Sequence, residues 1–138
     1  MQIHERKMRF GGEDGGGLGE RLIRQILDGV KTATCDLKCF CSAQEIADLD
    51  AEPGWTETVV DGLGRPRCNV RVTRVYETTF GAPDPRLVRG EGNGDDVEKF
   101  KREHAAWFSP LLAKKGLPPL ADDSVFVVWE FELVDVFA

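Results

Sequence analysis

Apolar positions recur along this chain with two periods, and the switch between them divides it into elements. Leu18, Leu22, Ile23, Ile26 and Leu27 fall at helical spacing, and Gly29 stands where a left-handed cap would close the helix. This predicts a short amphipathic helix from about Leu18 to Asp28. The β-branched residues within Val30 to Cys35 predict a strand leaving that cap. Ser42 and Glu45 have capping-box spacing ahead of Ile46, Ala47 and Leu49, so a second short helix is expected to end before Pro53-Gly54.

From Thr56 the period becomes two. Thr56 to Val60, a turn at Asp61 to Gly64, and Cys68, Val70 and Val72 alternating with Asn69, Arg71 and Thr73 predict a β-hairpin. The apolar phase then slips to Val75, as a bulge near Thr73-Arg74 would make it, and bulges suit curled sheets and small barrels. Pro83 and Pro85 mark a loop. Asp95, Asp96 and Glu98 favour the positive end of a helix with an apolar stripe of Val97, Phe100, His104, Trp107, Phe108 and Leu111, which Pro110 is expected to end or kink. Ser124 to Phe137 alternates through Val127, Trp129, Phe131 and Leu133, with Glu130 and Glu132 facing away, and predicts a long closing strand. Together these elements predict an α+β fold: a strongly bent, largely antiparallel sheet with three helices at its ends and edges.

Composition narrows the class. The 138 residues, 41% of them apolar, suffice for one core without a metal or disulfide framework, so a single domain over 1–138 is expected, with a short extension at 1–9. No run of 18 apolar residues occurs, and the start from Met1 to Lys7 lacks the apolar stretch of a signal peptide. A soluble, cytoplasmic protein with no membrane partner is expected. Cys35, Cys39, Cys41 and Cys68 lack paired C-x-x-C spacing and are read as reduced, strand-buried thiols, with no metal and no cofactor.

A net charge of −6 opposes binding to duplex DNA, but the charge is segregated. Residues 40–64 and 116–138 contain no Lys or Arg, so the remaining stretches carry all 18 bases against 13 acids. A fold that joins them would present a cationic cleft. Residues 11–19 hold six of the fifteen glycines and read as a plain loop, since no Gly-Lys-Ser/Thr follows and no apolar strand precedes.

The local feature that most suggests chemistry is Gly29-Val30-Lys31-Thr32-Ala33-Thr34, a helix end entering a strand with a lysine and two hydroxyls. Its plain reading is a cap followed by solvated strand residues. Gly-x-Lys-x-x-Thr after a short helix resembles the signature of the ASCH domain, a small β-barrel related to the PUA (pseudouridine synthase and archaeosine transglycosylase) RNA-binding fold. Phe10-Gly11, the hairpin run Val59 to Cys68, Gly90-Glu91-Gly92 and the stretch His104 to Ser109 extend the likeness to longer bacterial members, from about Phe10 to the end.

The resemblance implies a PUA-like barrel. Compact members of the family are amidohydrolases that deacetylate N4-acetylcytidine, and their catalytic lysine, threonine and glutamate fall by position on Lys31, Thr34 and Glu91. This chain departs from them in its length, in Cys35-Asp36 after the motif threonine and in its glycine-rich insertion. Amide cleavage needs a nucleophile, a proton acceptor and oxyanion stabilisation. A lysine serves as a neutral base only if burial or a second cation strips its proton, and a neighbouring glutamate works against that. Lys31 is therefore read as a charged stabiliser of the oxyanion and leaving group, Glu91 as proton shuttle, and Thr34 as nucleophile or holder of a water. In a straight strand positions 31 and 34 point to opposite faces, so a bend between them is required.

Thr32, Trp55, Arg71 and His104 are the candidate substrate-binding residues. Trp55 offers a stacking ring in an exposed loop; Trp107 and Trp129 fit core positions. Arg65, Arg67, Arg71 and Arg74 along the hairpin can track phosphates. The expected ligand is a nucleoside or single-stranded RNA. Two other functions fit the same fold: a non-catalytic RNA or modified-nucleotide binding module, and a ribonuclease, for which the sequence shows no paired histidines.

Overall fold

The computed structural model describes residues 2–10 and 17–137. The reading of 11–19 as a loop falls largely outside them. A five-stranded sheet in the order β1-β3-β4-β5-β2 organises the chain: β1 is Lys7–Arg9, β2 Ala33–Leu37, β3 Thr56–Val60, β4 Pro66–Thr79 and β5 Val125–Val136. All neighbours are antiparallel except β1, which runs parallel to β3. Residues 7–9, read as an extension, thus supply an edge strand. The sheet is open, with β1 and β2 as its edges, so the fold is α+β and mostly antiparallel without the closure of a barrel. It bends where the β4–β5 register slips between Val72 and Arg74, the bulge that the apolar phase predicts, and again between Asn69 and Val70.

Because strand residues alternate, the sheet buries a different core on each face. On one face helix α1 (Leu18–Leu27) sets Ile23 and Ile26 against Val59, Cys68, Val70 and Phe131. On the other, α3 (Pro85–Gly90) and α4 (Val97–Lys114) pack Leu87, Val88, Phe100, Phe108 and Leu112 against Ala33, Leu37, Phe126 and Val128. The short α2 (Ala43–Asp48) follows a 3-10 turn at Lys38–Phe40 and carries the expected capping box between Ser42 and Glu45.

Several expectations change. The strand predicted from Val30 starts only at Ala33, because the amides of Val30 and Lys31 are taken by the Gln25 carbonyl that closes α1. There are four α-helices among the described residues, not three: Asp84 caps α3 and Pro85 opens it, since proline at the first helical position loses no hydrogen bond. Pro110 does not end α4, which continues to Lys114. An interior proline costs about 3 kcal/mol, and burial of Leu112 in the core beyond it offsets that cost. Leu133 and Trp107 are exposed rather than buried, Leu133 because the second half of β5 runs past the core and Trp107 because it borders an open cavity. Of the four free thiols only Cys68 is buried; Cys39 is exposed in the 3-10 turn. Among the described residues no helix is long and apolar enough to cross a membrane.

Candidate active site

The site is built where α1 turns into β2. Gly29, at φ +78°, adopts the left-handed conformation that ends the helix, its amide donating to Ile26 O at 3.1 Å while Val30 and Lys31 donate to Gln25 O at 2.9 and 3.0 Å. This turn directs Lys31 inward ahead of the strand, where it is only 2% exposed. Strand alternation therefore does not set the direction of Lys31. Its Nζ donates to Ala33 O at 2.7 Å and to Glu91 Oε1.

Glu91 arrives from the end of α3. Thr32 N donates to Gly90 O at 2.7 Å, and a Cβ on Gly90 would lie 2.5 Å from Ala33 Cβ. Only glycine lets α3 approach β2 this closely. Gly92, at φ +87°, then turns the chain away. The Gly90-Glu91-Gly92 motif is thus a close approach, a carboxylate and a turn in three consecutive residues.

His104 completes a relay from α4. Its ring stacks on Phe100 with centroids 3.8 Å apart, Nδ1 faces Phe100 O at 2.8 Å and Nε2 faces Glu91 Oε2 at 2.8 Å. An ionised carboxylate only accepts, so the imidazole presents its Nε2–H to Glu91. Burial alone would raise the Glu91 carboxyl, but Lys31 and His104 hold it down to about 2. Cys35 Sγ lies 3.4 Å from Glu91 Oε2, and burial together with that carboxylate pushes its thiol well above the ordinary range. One carboxylate is thus engaged from both sides, by the Lys31 ammonium at Oε1 and the His104 imidazole at Oε2.

Lys31, Thr34, Glu91 and His104 all line one cavity of about 770 Å3. Thr34 pairs with Trp129 across the β2–β5 register and shares its face, whereas Cys35 belongs to the opposite core. The cavity therefore wraps around the edge strand β2. The Thr34 hydroxyl makes no hydrogen bond among the described residues, so it is available to a ligand. The other three candidates lie elsewhere. Thr32 is exposed and joins β2 to α3 through its backbone. Trp55 lies under the Arg6 guanidinium, 4.2 Å from its ring centroid, and Arg71 pairs with Glu132 on the neighbouring strand. Arg65 and Arg67 are likewise paired, with Asp61 and with Glu20, so the expected phosphate track is largely neutralised. The cationic stretch lies instead along the cavity rim, at Arg6, Lys7, Arg9 and Arg21.

The sequence reading missed Cys35, Glu52, Glu57 and Trp129 as lining residues. Glu57 carried a signal: it stands in phase with Val59 on the inward face of β3, where an acid needs a reason. Cys35, Glu91 and His104 bring sulfur, oxygen and nitrogen within 4.8 Å of one another, a donor set of the kind that holds soft divalent metals. Here the Lys31 ammonium already occupies the carboxylate and the thiol is held protonated, so the cluster is arranged around protein cations.

The ASCH domain family model matches residues 7–135. In structure the chain is similar to a protein of Enterococcus faecalis V583, with a TM-score of 0.77 at 24% identity over 99% of this chain and 80% of that one. It is also similar to an ASCH domain of Lactobacillus crispatus JV V101, with a TM-score of 0.74 at 21% identity over 94% and 80% of the two chains. A search of the curated proteins finds no match. Both likenesses extend over nearly the whole fold just described, and the family-model match across 7–135 shows that the chain belongs to the ASCH domain family.

Proposed function

We propose that the protein is an amidohydrolase that removes the acyl group from an acylated pyrimidine nucleoside of the N4-acetylcytidine type. The observation that carries this reading is the Lys31–Glu91–His104 relay opening into the cavity that Thr34 lines with an unengaged hydroxyl. Attack on the acyl carbon, by Thr34 or by a water it holds, places negative charge on the carbonyl oxygen. Lys31 Nζ, an ammonium that lines the cavity, is the donor suited to receive it.

A carboxylate held near 2 is a weak base, which at first opposes the role of Glu91 as proton acceptor. Lys31 is the strongest influence lowering it, so turning Lys31 toward the oxyanion raises the basicity of Glu91 as the nucleophile gives up its proton. The proton then passes to the departing exocyclic nitrogen, and His104 keeps Glu91 oriented throughout; where Thr34 itself attacks, a water activated by Glu91 then cleaves the resulting ester, releasing the carboxylic acid and restoring the Thr34 hydroxyl.

The test is loss of N4-acetylcytidine absorbance on adding protein, with Lys31→Ala, Thr34→Ala and Glu91→Gln expected to lower the rate by about 100-fold or more. Absence of turnover, or full activity in these variants, would overturn the reading. One observation favours a second function, the binding of single-stranded RNA without chemistry. Lys7, Arg9 and Arg21 among the lining residues suit phosphates of a nucleotide chain. RNA binding that weakens with salt, in protein with no hydrolytic activity, would select it.

A further inference from the structure

The relay accounts for one end of the cavity and leaves unexplained two acids that line another part of it. Glu52 and Glu57 are 4% and 6% exposed, and their carboxyls are near enough for each to feel the other's charge. Glu52 Oε1 also accepts from Trp129 Nε1 at 3.1 Å, which ties the pair to the register neighbour of Thr34. Glu57 Oε2 has no donor, and close by the Nε of Arg6 has no acceptor, although both atoms are buried in residues that line the cavity. Buried polar atoms almost always find partners, and the missing ones here are of the kind a bound molecule supplies.

We propose that Glu52 and Glu57 form a second polar subsite of the cavity, which accepts hydrogen bonds from donor groups of a bound nucleoside. This inference rests on the nucleoside reading above. The groups that face Glu57 are Glu52 from the loop ahead of β3, Arg6 from the segment ahead of β1, with Asp48 of α2 behind Arg6, and the uncharged Trp129 indole of β5. Burial first, then Glu52, raises the Glu57 carboxyl to about 7, with Arg6 acting against them, so the proton is exchangeable near neutral pH. An ionised acceptor binds a donor more strongly than a neutral one. Occupancy should therefore tighten as pH rises through neutrality.

Cytidine, which carries the same donor groups and no acyl bond, serves as the probe. Its dissociation constant is measured by calorimetry at pH 6 and pH 8 for the native protein and for Glu57→Gln. Glutamine keeps the size and polarity of the side chain but cannot ionise. Native affinity is expected to rise about fivefold to tenfold between the two values, whereas Glu57→Gln stays at the pH 6 level. Without ligand, the Trp129 Nε1–H resonance is expected to move over the same interval in native protein and to stay still in the variant. Cytidine binding with the same pH profile in both proteins, or a Trp129 resonance that does not titrate, would overturn the subsite while leaving the nucleoside reading intact. No cytidine binding at either pH, with the Trp129 resonance titrating, would overturn the nucleoside reading and the ligand role with it.

Discussion

Lys31 and Glu91 meet across sixty positions of chain, with side chains only 1% and 9% exposed. One follows the end of α1 and the other the end of α3, with β2, β3 and β4 between them in the chain. Their contact holds α3 against β2 and sets the charge of the cavity. Removing one partner of a buried pair leaves the other charge uncompensated, which costs about 3–5 kcal/mol. Lys31→Met is therefore expected to lower unfolding free energy by that order at pH 7 in urea titrations. The deficit should shrink toward pH 4, because without the ammonium Glu91 takes up a proton more readily.

Gly90 tests the approach that makes the contact possible. A methyl group there would meet Ala33 Cβ at 2.5 Å. Gly90→Ala is expected to cost about 1–3 kcal/mol of stability and to displace Glu91 enough to reduce turnover more than substrate affinity. A kcat/KM analysis beside thermal melts checks both.

Stability should depend on pH with opposite signs from different acids. Burial raises the Asp36 carboxyl to about 6, and burial with the neighbouring Glu52 raises Glu57 to about 7. In the interval between their unfolded and folded values the native state binds more protons, so stability falls as pH rises from about 4 to about 7. Glu91, held at about 2 against the cost of its burial, gives stability that is present above pH 4.5 and lost as pH falls toward 2. The melting temperature is expected to peak in mildly acidic buffer. Glu57→Gln should flatten its alkaline decline.

Pro110 sits in the interior of α4 without the N–H that would reach the Ala106 carbonyl. Pro110→Ala restores that bond and is expected to raise stability by about 1–3 kcal/mol, measured by chemical denaturation, with the Lys31–Glu91–His104 relay unaffected.

The local elements were legible because each rests on neighbours in sequence. Period and caps marked α1, α2, the hairpin, the β4 bulge and β5, and the left-handed glycine after α1 follows from one residue's lack of a side chain. The α3 start at Asp84-Pro85 was also written locally, but its six residues are too few for periodicity to show. The edge strand β1 was not readable, since three residues carry no period and the strand exists only by pairing with β3.

For the site, the run Gly29 to Thr34 drew attention to Lys31 and Thr34, and it was the resemblance to the ASCH domain that pointed to these two with Glu91. What they touch depends on the sheet's bend, on how closely Gly90 meets Ala33, and on which face of α4 turns inward. Those are contacts between distant segments, decided by packing that no local pattern encodes. The same packing turned Arg71 and Trp55 away from the cavity and brought Cys35 and His104 to Glu91. It also buried Glu57 beside Glu52, where loss of water and the neighbouring acid together raise the Glu57 carboxyl to about 7.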